Sequence, residues 1–472
     1  MSRIVLVNPP ISIQERYGDL AKAANVIPNL GLCYLAAVAR KEGYDVRIID
    51  AAVLSIDHKK VADMIAQSKT SYVGITATTL TIKSAGKLAK MLKEGNKNIK
   101  ILVGGPHITS SPENTMKEFP DIDIGIIGEG EETLVDVLEN TNNLERVKGI
   151  VYRNPNIMIN PRRDFIKVLD KLPFPGWDLL PNLTKYYKPA PHYTGRYPST
   201  SLITSRGCPG RCIFCDRMVF GRYCRANSSE YVVGMIKYLI KKYGIKDICF
   251  FDDTFTIFAK RLIEVCNLII KEELDITWSC FGRINDVTPE ILRLMRRAGC
   301  WQISYGIESG SQKVLDSLKK DTKVDQIMNA LKWTRKAGIS AHGFFILGCP
   351  TETKETIEET IDLIKIADLN SIQLTFFTPY PGTEIYPDID KYGQFTQNWE
   401  NMTDWNPVFV PNGFTKDELV GYHKKILKIF YLRPKILMSF VIRAFRSPKH
   451  FKSYFNAGLS FLSLIKKQNH PL

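Results

Sequence analysis

Short apolar runs recur along the first 140 positions: RIVLVN, DVRIID, YVGITAT, IKILVGG and IDIGIIG. Between them, GLCYLAAVARKEGY, VADMIAQS, IKSAGKLAKMLKEG and PENTMKEF place apolar residues at helical spacing. Strands that alternate with helices in this way predict an α/β domain with a doubly wound parallel sheet, flavodoxin-like or Rossmann-like. Such sheets bind ligands beyond the carboxyl ends of their strands. The residues expected there are Asn8-Pro9-Pro10, Asp50-Ala51, Thr76-Ala77-Thr78, Gly104-Gly105-Pro106-His107 and Gly128-Glu129-Gly130-Glu131. This small, polar rim leaves room for a large, flat, polar ligand. The GxGxxG dinucleotide fingerprint does not follow the first strand, which argues against NAD or FAD.

The pattern changes three times after residue 140. Residues 141–197 are proline-rich and read as a linker over the surface. Residues 198–385 resume the alternation, with strands expected at SLITSRG, DICFFDD, TWSCFGR, QISYGIES, SAHGFFILG and SIQLTFFTPY. Six strand–helix units predict a partial (β/α)6 barrel of the TIM type, with chemistry at the carboxyl ends of its strands. Residues 386–472 lose the alternation and read as basic helices with apolar faces, interrupted at Pro434 and Pro448.

Composition refines this picture in two ways. The net charge is +15, and residues 419–472 hold eleven Lys or Arg and no Asp or Glu. A basic, apolar tail of this kind suits an anionic membrane surface or a cover over the barrel. Nucleic acid ranks behind both, because no recognised module accompanies the charge. The opening MSRIVLVNPP has too short an apolar run for a secretory signal, and no run of about 18 apolar residues suggests a spanning helix. A cytoplasmic location, with peripheral membrane contact as an option, is therefore the expectation.

Ten cysteines are present, and seven are scattered, mostly inside apolar segments where buried thiols are the default. The other three form Arg206-Gly-Cys208-Pro-Gly-Arg-Cys212-Ile-Phe-Cys215-Asp-Arg217, a C-x3-C-x2-C loop after the first barrel strand. Three thiolates hold three irons of a [4Fe–4S] cube and leave the fourth open to an outside ligand. Zinc sites usually close four ligands from paired C-x2-C units, and no second pair lies near. Gly207, Pro209 and Gly210 keep the loop tight, and Arg206, Arg211 and Arg217 are expected to offset the cluster's charge. Cys224 is not expected to be a fourth ligand.

With Phe214 before its last cysteine, this loop resembles that of the radical S-adenosylmethionine (SAM) superfamily. The resemblance implies that the open iron chelates SAM and that one electron from the reduced cluster yields a 5′-deoxyadenosyl radical. It also implies roles at successive strand ends. Asp252 or Asp253 would meet the SAM amino group, where many members carry Gly-Gly-Glu, and Arg283 would pair with its carboxylate. Glu308 or Ser309 would reach the ribose, and Gly348 to Glu352 would form the adenine side.

An α/β domain ahead of such a core resembles the cobalamin-binding subclass, which includes C-methylases and the anaerobic magnesium-protoporphyrin ester cyclase. Asn8-Pro9-Pro10, Gly104 to His107 and Gly128 to Glu131 carry that likeness, and with Asp50, Thr76 and Glu129 they are the implied corrinoid-side residues. One departure is plain: the first-strand loop NPPISIQERYG lacks the histidine of D-x-H-x-x-G. His107 is the nearest imidazole, and a polar turn residue is its plainer reading. Methylthiotransferases fit less well, since they carry three further amino-terminal cysteines and only Cys33 precedes the motif here. The implied function is cobalamin-dependent methylation of an unactivated carbon. The alternatives are cobalamin-assisted oxidation, cyclisation or rearrangement, and a non-catalytic sensor. The implied partners are a small-molecule or lipid substrate and an electron donor of the flavodoxin or ferredoxin type.

Overall fold

The computed structural model describes residues 3–445 and 448–466. Arg446 and Lys467 of the basic run lie outside the described residues. The first sheet contains β1 (Arg3–Asn8), β2 (Asp45–Asp50), β3 (Tyr72–Thr76), β4 (Lys100–Gly104) and β5 (Ile124–Ile126). Their order is β2-β1-β3-β4-β5, all parallel, which is the doubly wound arrangement. Strand residues are buried on both faces: Val5, Val7 and Ile75 pack against one helical layer, Ile4, Leu6 and Leu102 against the other.

The segment 141–197 departs from the linker expected there. β6 (Ile150–Asn154) and β7 (Asn156–Ile159) extend the sheet antiparallel beyond β5. Pro155 sits at the tip of their hairpin, where no ladder N–H is needed, so proline marks a turn within the sheet. Further on, Trp177, Leu183 and Tyr187 are buried in the same core as the barrel. The prolines of this stretch space buried anchors, and the segment joins the two units rather than lying over them.

The second sheet holds β8 (Ser199–Leu202), β9 (Asp247–Phe250), β10 (Thr277–Gly282), β11 (Cys300–Glu308), β12 (Ser340–Leu347) and β13 (Ser371–Phe376). These six strands are parallel and run in sequence order, a partial barrel open between its first and last strands. Helices begin at Lys416, Pro434 and Pro448 in the tail. Proline is tolerated at a first helical position because its missing N–H would be unpaired there anyway. The Lys416–Tyr431 helix opens with a capping box between Thr415 and Glu418. It buries Leu419, His423, Ile426, Leu427 and Phe430, which join the core around the barrel or contact it.

Candidate active site

The cysteine loop is a closed excursion. Ser205–Arg206 pairs antiparallel with Arg225–Ala226, so both ends of the loop are tied together. Gly207 has φ +88°, and a Cβ there would lie 2.6 Å from the Tyr223 carbonyl, so only glycine fits this entry turn. Ile213 N donates to the Leu318 carbonyl, and Ile385 N donates to the Ile213 carbonyl, which pins the loop between two barrel-top segments. Arg217 donates to the Cys212 carbonyl at 2.8 Å.

Two of the three thiols flank Gly210, and the third, Cys215, hydrogen-bonds to Cys212. A Cβ added to Gly210 would meet Cys208 Sγ at 3.3 Å and Cys212 Sγ at 3.8 Å. A hydrogen bond from Cys215 draws the Cys212 thiol down to about 6, with Lys320 and Arg283 adding positive charge nearby. The same hydrogen bond holds the proton on Cys215. Among the described residues, no three His, Cys, Asp or Glu side chains converge on one ion position. Three thiols in one short loop beside Lys320 and Arg283 fit a polynuclear anionic cluster. Cys224 stands aside, its Sγ donating to the Gly207 carbonyl at 3.4 Å.

The paired aspartates after β9 have different fates. Asp252 is 2% exposed and accepts from Thr204 N, Thr204 Oγ1 and Ser205 Oγ at 2.6 to 2.8 Å, with Arg261 at 3.6 Å. It braces the strand that leads into the cysteine loop. Asp253 accepts from Gly207 N with one oxygen and is otherwise exposed beside the cysteine loop, where partial desolvation raises its pKa. Arg283, at the end of β10, has only a distant contact with Asp321, at 3.9 Å.

Glu308 ends β11 with φ +65°, a conformation that costs a non-glycine residue on the order of 1–3 kcal/mol. It is buried and accepts from Lys320 Nζ at 2.6 Å. Ser309, by contrast, is turned into the core, where its hydroxyl pairs with Thr360 Oγ1 and accepts from Ser311 N. It is not placed to meet a ribose, because Gly310 and Ser311 close over the Thr360 helix. Glu352 folds back on its own turn, accepting from Gly348 N at 2.5 Å and Cys349 N at 3.1 Å, and burial lifts it to about 7. It shapes the turn through the backbone with Oε2. Phe214 packs with Ile213, Cys349 and Phe377 beneath the loop.

On the first domain, Asn8 donates to Asp50 at 2.8 Å, and Tyr187 donates to the other Asp50 oxygen at 2.8 Å. The ends of β1 and β2 are thus bound to each other and to the connecting segment. Thr76 and Gly104 close β3 and β4, and Gly105, at φ +109°, lies against the Ala77 backbone. His107 is buried, its Nδ1 is 3.2 Å from Thr79 Oγ1, and its ring meets Trp399 edge-on at 5.1 Å. Burial lowers its pKa to about 4, so the ring is neutral, and its contacts with Thr79 and Trp399 make it a packing residue of the rim.

Glu129 corrects a sequence expectation. Its two oxygens are taken by Arg206 at 2.7 Å, by Arg225 at 2.7 Å and by Ile166 N at 2.8 Å, while Glu131 takes the other Arg206 nitrogen at 2.5 Å. Arg206 therefore neutralises carboxylates of the first domain and not the thiols. The Gly128–Glu131 turn is a clamp on the cysteine loop, and both carboxylate oxygens of Glu129 are engaged in it.

Comparison with known proteins decides the family. Residues 202–364 match the radical SAM superfamily and residues 18–138 match the B12 binding domain. An uncharacterized methyltransferase of Pyrococcus horikoshii is 38% identical over 444 residues, 92% of this chain and 94% of that one. The chain belongs to the B12-binding radical SAM family. The anaerobic magnesium-protoporphyrin IX monomethyl ester cyclase of Rubrivivax gelatinosus is 28% identical over 92% of this chain and 78% of its own. Among solved structures, the cobalamin-dependent SAM radical enzyme OxsB covers 98% of this chain and 72% of its own, with a TM-score of 0.76 at 18% identity. The radical SAM methyltransferase TsrM from Kitasatospora setae covers 83% of this chain and 75% of its own, with a TM-score of 0.67 at 17% identity. The last two share the fold. As a member of this family the chain is an enzyme whose cofactors are a [4Fe–4S] cluster, SAM and cobalamin.

For a B12-binding radical SAM enzyme, the space between the domains matters most. A cavity of about 810 Å³ lies there. Thr78, Thr79, Leu80 and Pro106 wall it from the first domain, and Asp216, the residue after Cys215, walls it from the cysteine loop. The rim of small, uncharged groups at Thr78 to Leu80 fits the flat face of a corrinoid. Asp216 also accepts from Ser110 of the first domain at 2.6 Å, so the loop and the rim are joined at the cavity. Sequence reasoning missed Lys320, Asp216 and Arg225, which carry no local motif. Their partners lie 12, 106 and 96 positions away.

Proposed function

We propose that this enzyme transfers a methyl group from a cobalamin carrier to an unactivated carbon of a substrate held in the interdomain cavity. The observation that carries the reading is that one cavity is walled both by the corrinoid rim and by the residue next to Cys215. A methyl carrier and a radical generator must both reach one substrate carbon, and a shared chamber meets that need. The methyltransferase name of the Pyrococcus relative supports the same reading.

In this reading Cys208, Cys212 and Cys215 hold three irons. Asp253 accepts from the SAM amino group and Arg283 pairs with its carboxylate. Lys320, held by Glu308, balances the thiolate charge. When bound, the cluster supplies one electron to SAM and the corrinoid carries the methyl group. The protein's share is to keep Cys212 ready to ionise, orient SAM between Asp253 and Arg283, and wall out water with the apolar cavity lining. A flavodoxin- or ferredoxin-type protein is the proposed electron donor. Cyclase-like oxidation is the second reading, favoured by the likeness to the magnesium-protoporphyrin cyclase over most of both chains.

The test uses protein purified without oxygen, loaded with iron, sulfide and hydroxocobalamin, then given SAM, reductant and an extract of the source cells. S-adenosylhomocysteine and 5′-deoxyadenosine together support methyl transfer. 5′-Deoxyadenosine alone, with bound corrinoid, moves the assignment to oxidation or cyclisation. Cys212→Ala should lose the iron and Cys224→Ala keep it, and full iron in Cys212→Ala would remove the cluster assignment.

A further inference from the structure

Among the described residues, no helix is long and apolar enough to cross a membrane. Yet large apolar side chains are exposed, and they are not spread evenly. Of the eighteen such exposed residues, ten lie between Leu432 and Leu462. On the Pro434–Ala444 helix, Met438 and Ile442 are exposed and Phe445 at the helix end is 75% exposed, while Leu437 and Val441, at the edge of this surface, are exposed and also line the cavity. On the Pro448–Lys466 helix, Phe451, Phe455, Leu459 and Leu462 form a stripe at helical spacing. The two helices pack on each other, and Phe445, Phe451 and Phe455 run as one row with ring centroids 5.7 and 6.2 Å apart. A contiguous apolar surface of this kind marks an interaction site.

The charge around it selects the partner. Lys435, Lys449 and Lys452 are exposed on the same two helices, and residues 419–472 hold no acidic side chain. Rings and aliphatic side chains among lysines match the boundary of an anionic bilayer, where apolar groups enter the acyl region and ammonium groups meet phosphates. Unpaired bases could stack on the phenylalanine row but would leave the aliphatic Met438, Ile442, Leu459 and Leu462 in water, whereas a bilayer buries all of them.

The opposite face of these helices is part of the cavity. Phe440, Tyr454, Ala457, Gly458 and Phe461 line it, and the Tyr454 hydroxyl donates to the Pro191 carbonyl at 3.4 Å. The same two helices therefore present one face to the solvent and the other to the proposed substrate.

We propose that the Pro434–Ala444 and Pro448–Lys466 helices seat on an anionic lipid bilayer, and that the cavity behind them takes a lipid from that bilayer as substrate. The second half rests on the methyl-transfer reading of the cavity; the first does not.

The holoenzyme is floated with vesicles of phosphatidylcholine alone and of phosphatidylcholine mixed with phosphatidylglycerol. The enzyme should float with the mixed vesicles, less so with the neutral ones, and lose binding as salt rises. The triple variant Phe445→Ser, Phe451→Ser, Phe455→Ser should lose at least tenfold in vesicle affinity. Its iron content, melting and SAM cleavage without substrate should match the parent. Equal binding by parent and variant, or no binding to either vesicle, overturns the docking. Self-association of the parent that the variant abolishes, without vesicle binding, assigns the face to a second copy. RNA that displaces the enzyme from vesicles, and that the variant still binds, assigns the basic surface to nucleic acid. For the substrate, vesicles of total lipid from the source cells are incubated with SAM labelled in its methyl group. Label in the lipid fraction supports the proposal. Label only in a water-soluble product overturns the lipid half while methyl transfer stands. No S-adenosylhomocysteine from lipid or soluble extract removes the methyl-transfer reading, and the flotation result then stands alone.

Discussion

Arg206 and Glu129, 77 positions apart, form a buried ion pair that fastens the cysteine loop to the first domain. Both side chains are nearly inaccessible, and Glu131 and Arg225 complete the network. The Arg206 guanidinium also lies over the rings of Tyr34 and Phe220, at 5.5 and 5.2 Å. Removing one partner of such a pair leaves an uncompensated buried charge. Glu129→Ala should therefore destabilise the protein by about 3–5 kcal/mol in denaturant unfolding. Its iron content should fall as well, because the loop that presents Cys208 loses its anchor. A Glu129→Ala protein of parental stability would mean that the pair does not hold the loop.

This pair shows where the sequence stops being legible. Alternation of apolar runs and helical periods located the five parallel strands of the first sheet and all six of the barrel, since each is buried and each is local in the chain. The C-x3-C-x2-C loop was legible for the same reason. The Gly128–Glu131 turn was not: its composition suits a ligand rim, and only the fold brings Arg206 and Arg225 onto it. β6 and β7 fall in the stretch 141–197, whose prolines read as a linker, whereas Pro155 caps a hairpin there. Lys320 sits in SLKKDTK, which resembles a solvated charge run until Glu308 is placed beside it.

The two aspartates after β9 separate structure from chemistry. Asp252 takes three donors and the Arg261 contact inside the barrel, so Asp252→Asn should cost on the order of 3 kcal/mol of stability. Asp253 makes one bond to Gly207 N and is otherwise exposed. Asp253→Asn should stay within about 1 kcal/mol of the parent in stability. Its dissociation constant for SAM should rise about thirtyfold, the effect of about 2 kcal/mol. Calorimetry with SAM on the reconstituted proteins, beside urea unfolding, reads both effects. A reversed pattern would exchange the two roles.

Lys320 and Glu308 call for a double variant. Lys320→Met alone leaves Glu308 buried and unpaired and should lose about 3–5 kcal/mol. Lys320→Met with Glu308→Leu removes both charges and should regain most of that loss. If Lys320 also balances the thiolates, the double variant will fold yet cleave SAM at least tenfold more slowly than the parent. Parental cleavage by the double variant would confine the pair to a packing role.

His423 offers a pH test of the tail helix. It lies on the Lys416–Tyr431 helix, is 5% exposed, stacks on Phe376 and has its Nε2 2.9 Å from the Leu374 carbonyl. Burial lowers its pKa to about 4, although the Leu374 contact works the other way. In the unfolded chain the imidazole returns to its ordinary value near 6.5. The native state thus refuses a proton that the unfolded state accepts, so stability is full above pH 6.5 and declines as the pH falls through that value. The decline ends near pH 4, where the folded form is protonated too, and it amounts to about 3 kcal/mol. His423→Gln lacks the titrating group. The stability of the parent relative to this variant should be constant above pH 6.5 and shrink by that amount between pH 6.5 and 4, read by urea unfolding at stepped pH. A difference that stays constant over that interval would mean the imidazole already takes up its proton in the folded protein, and that the tail helix does not shield it.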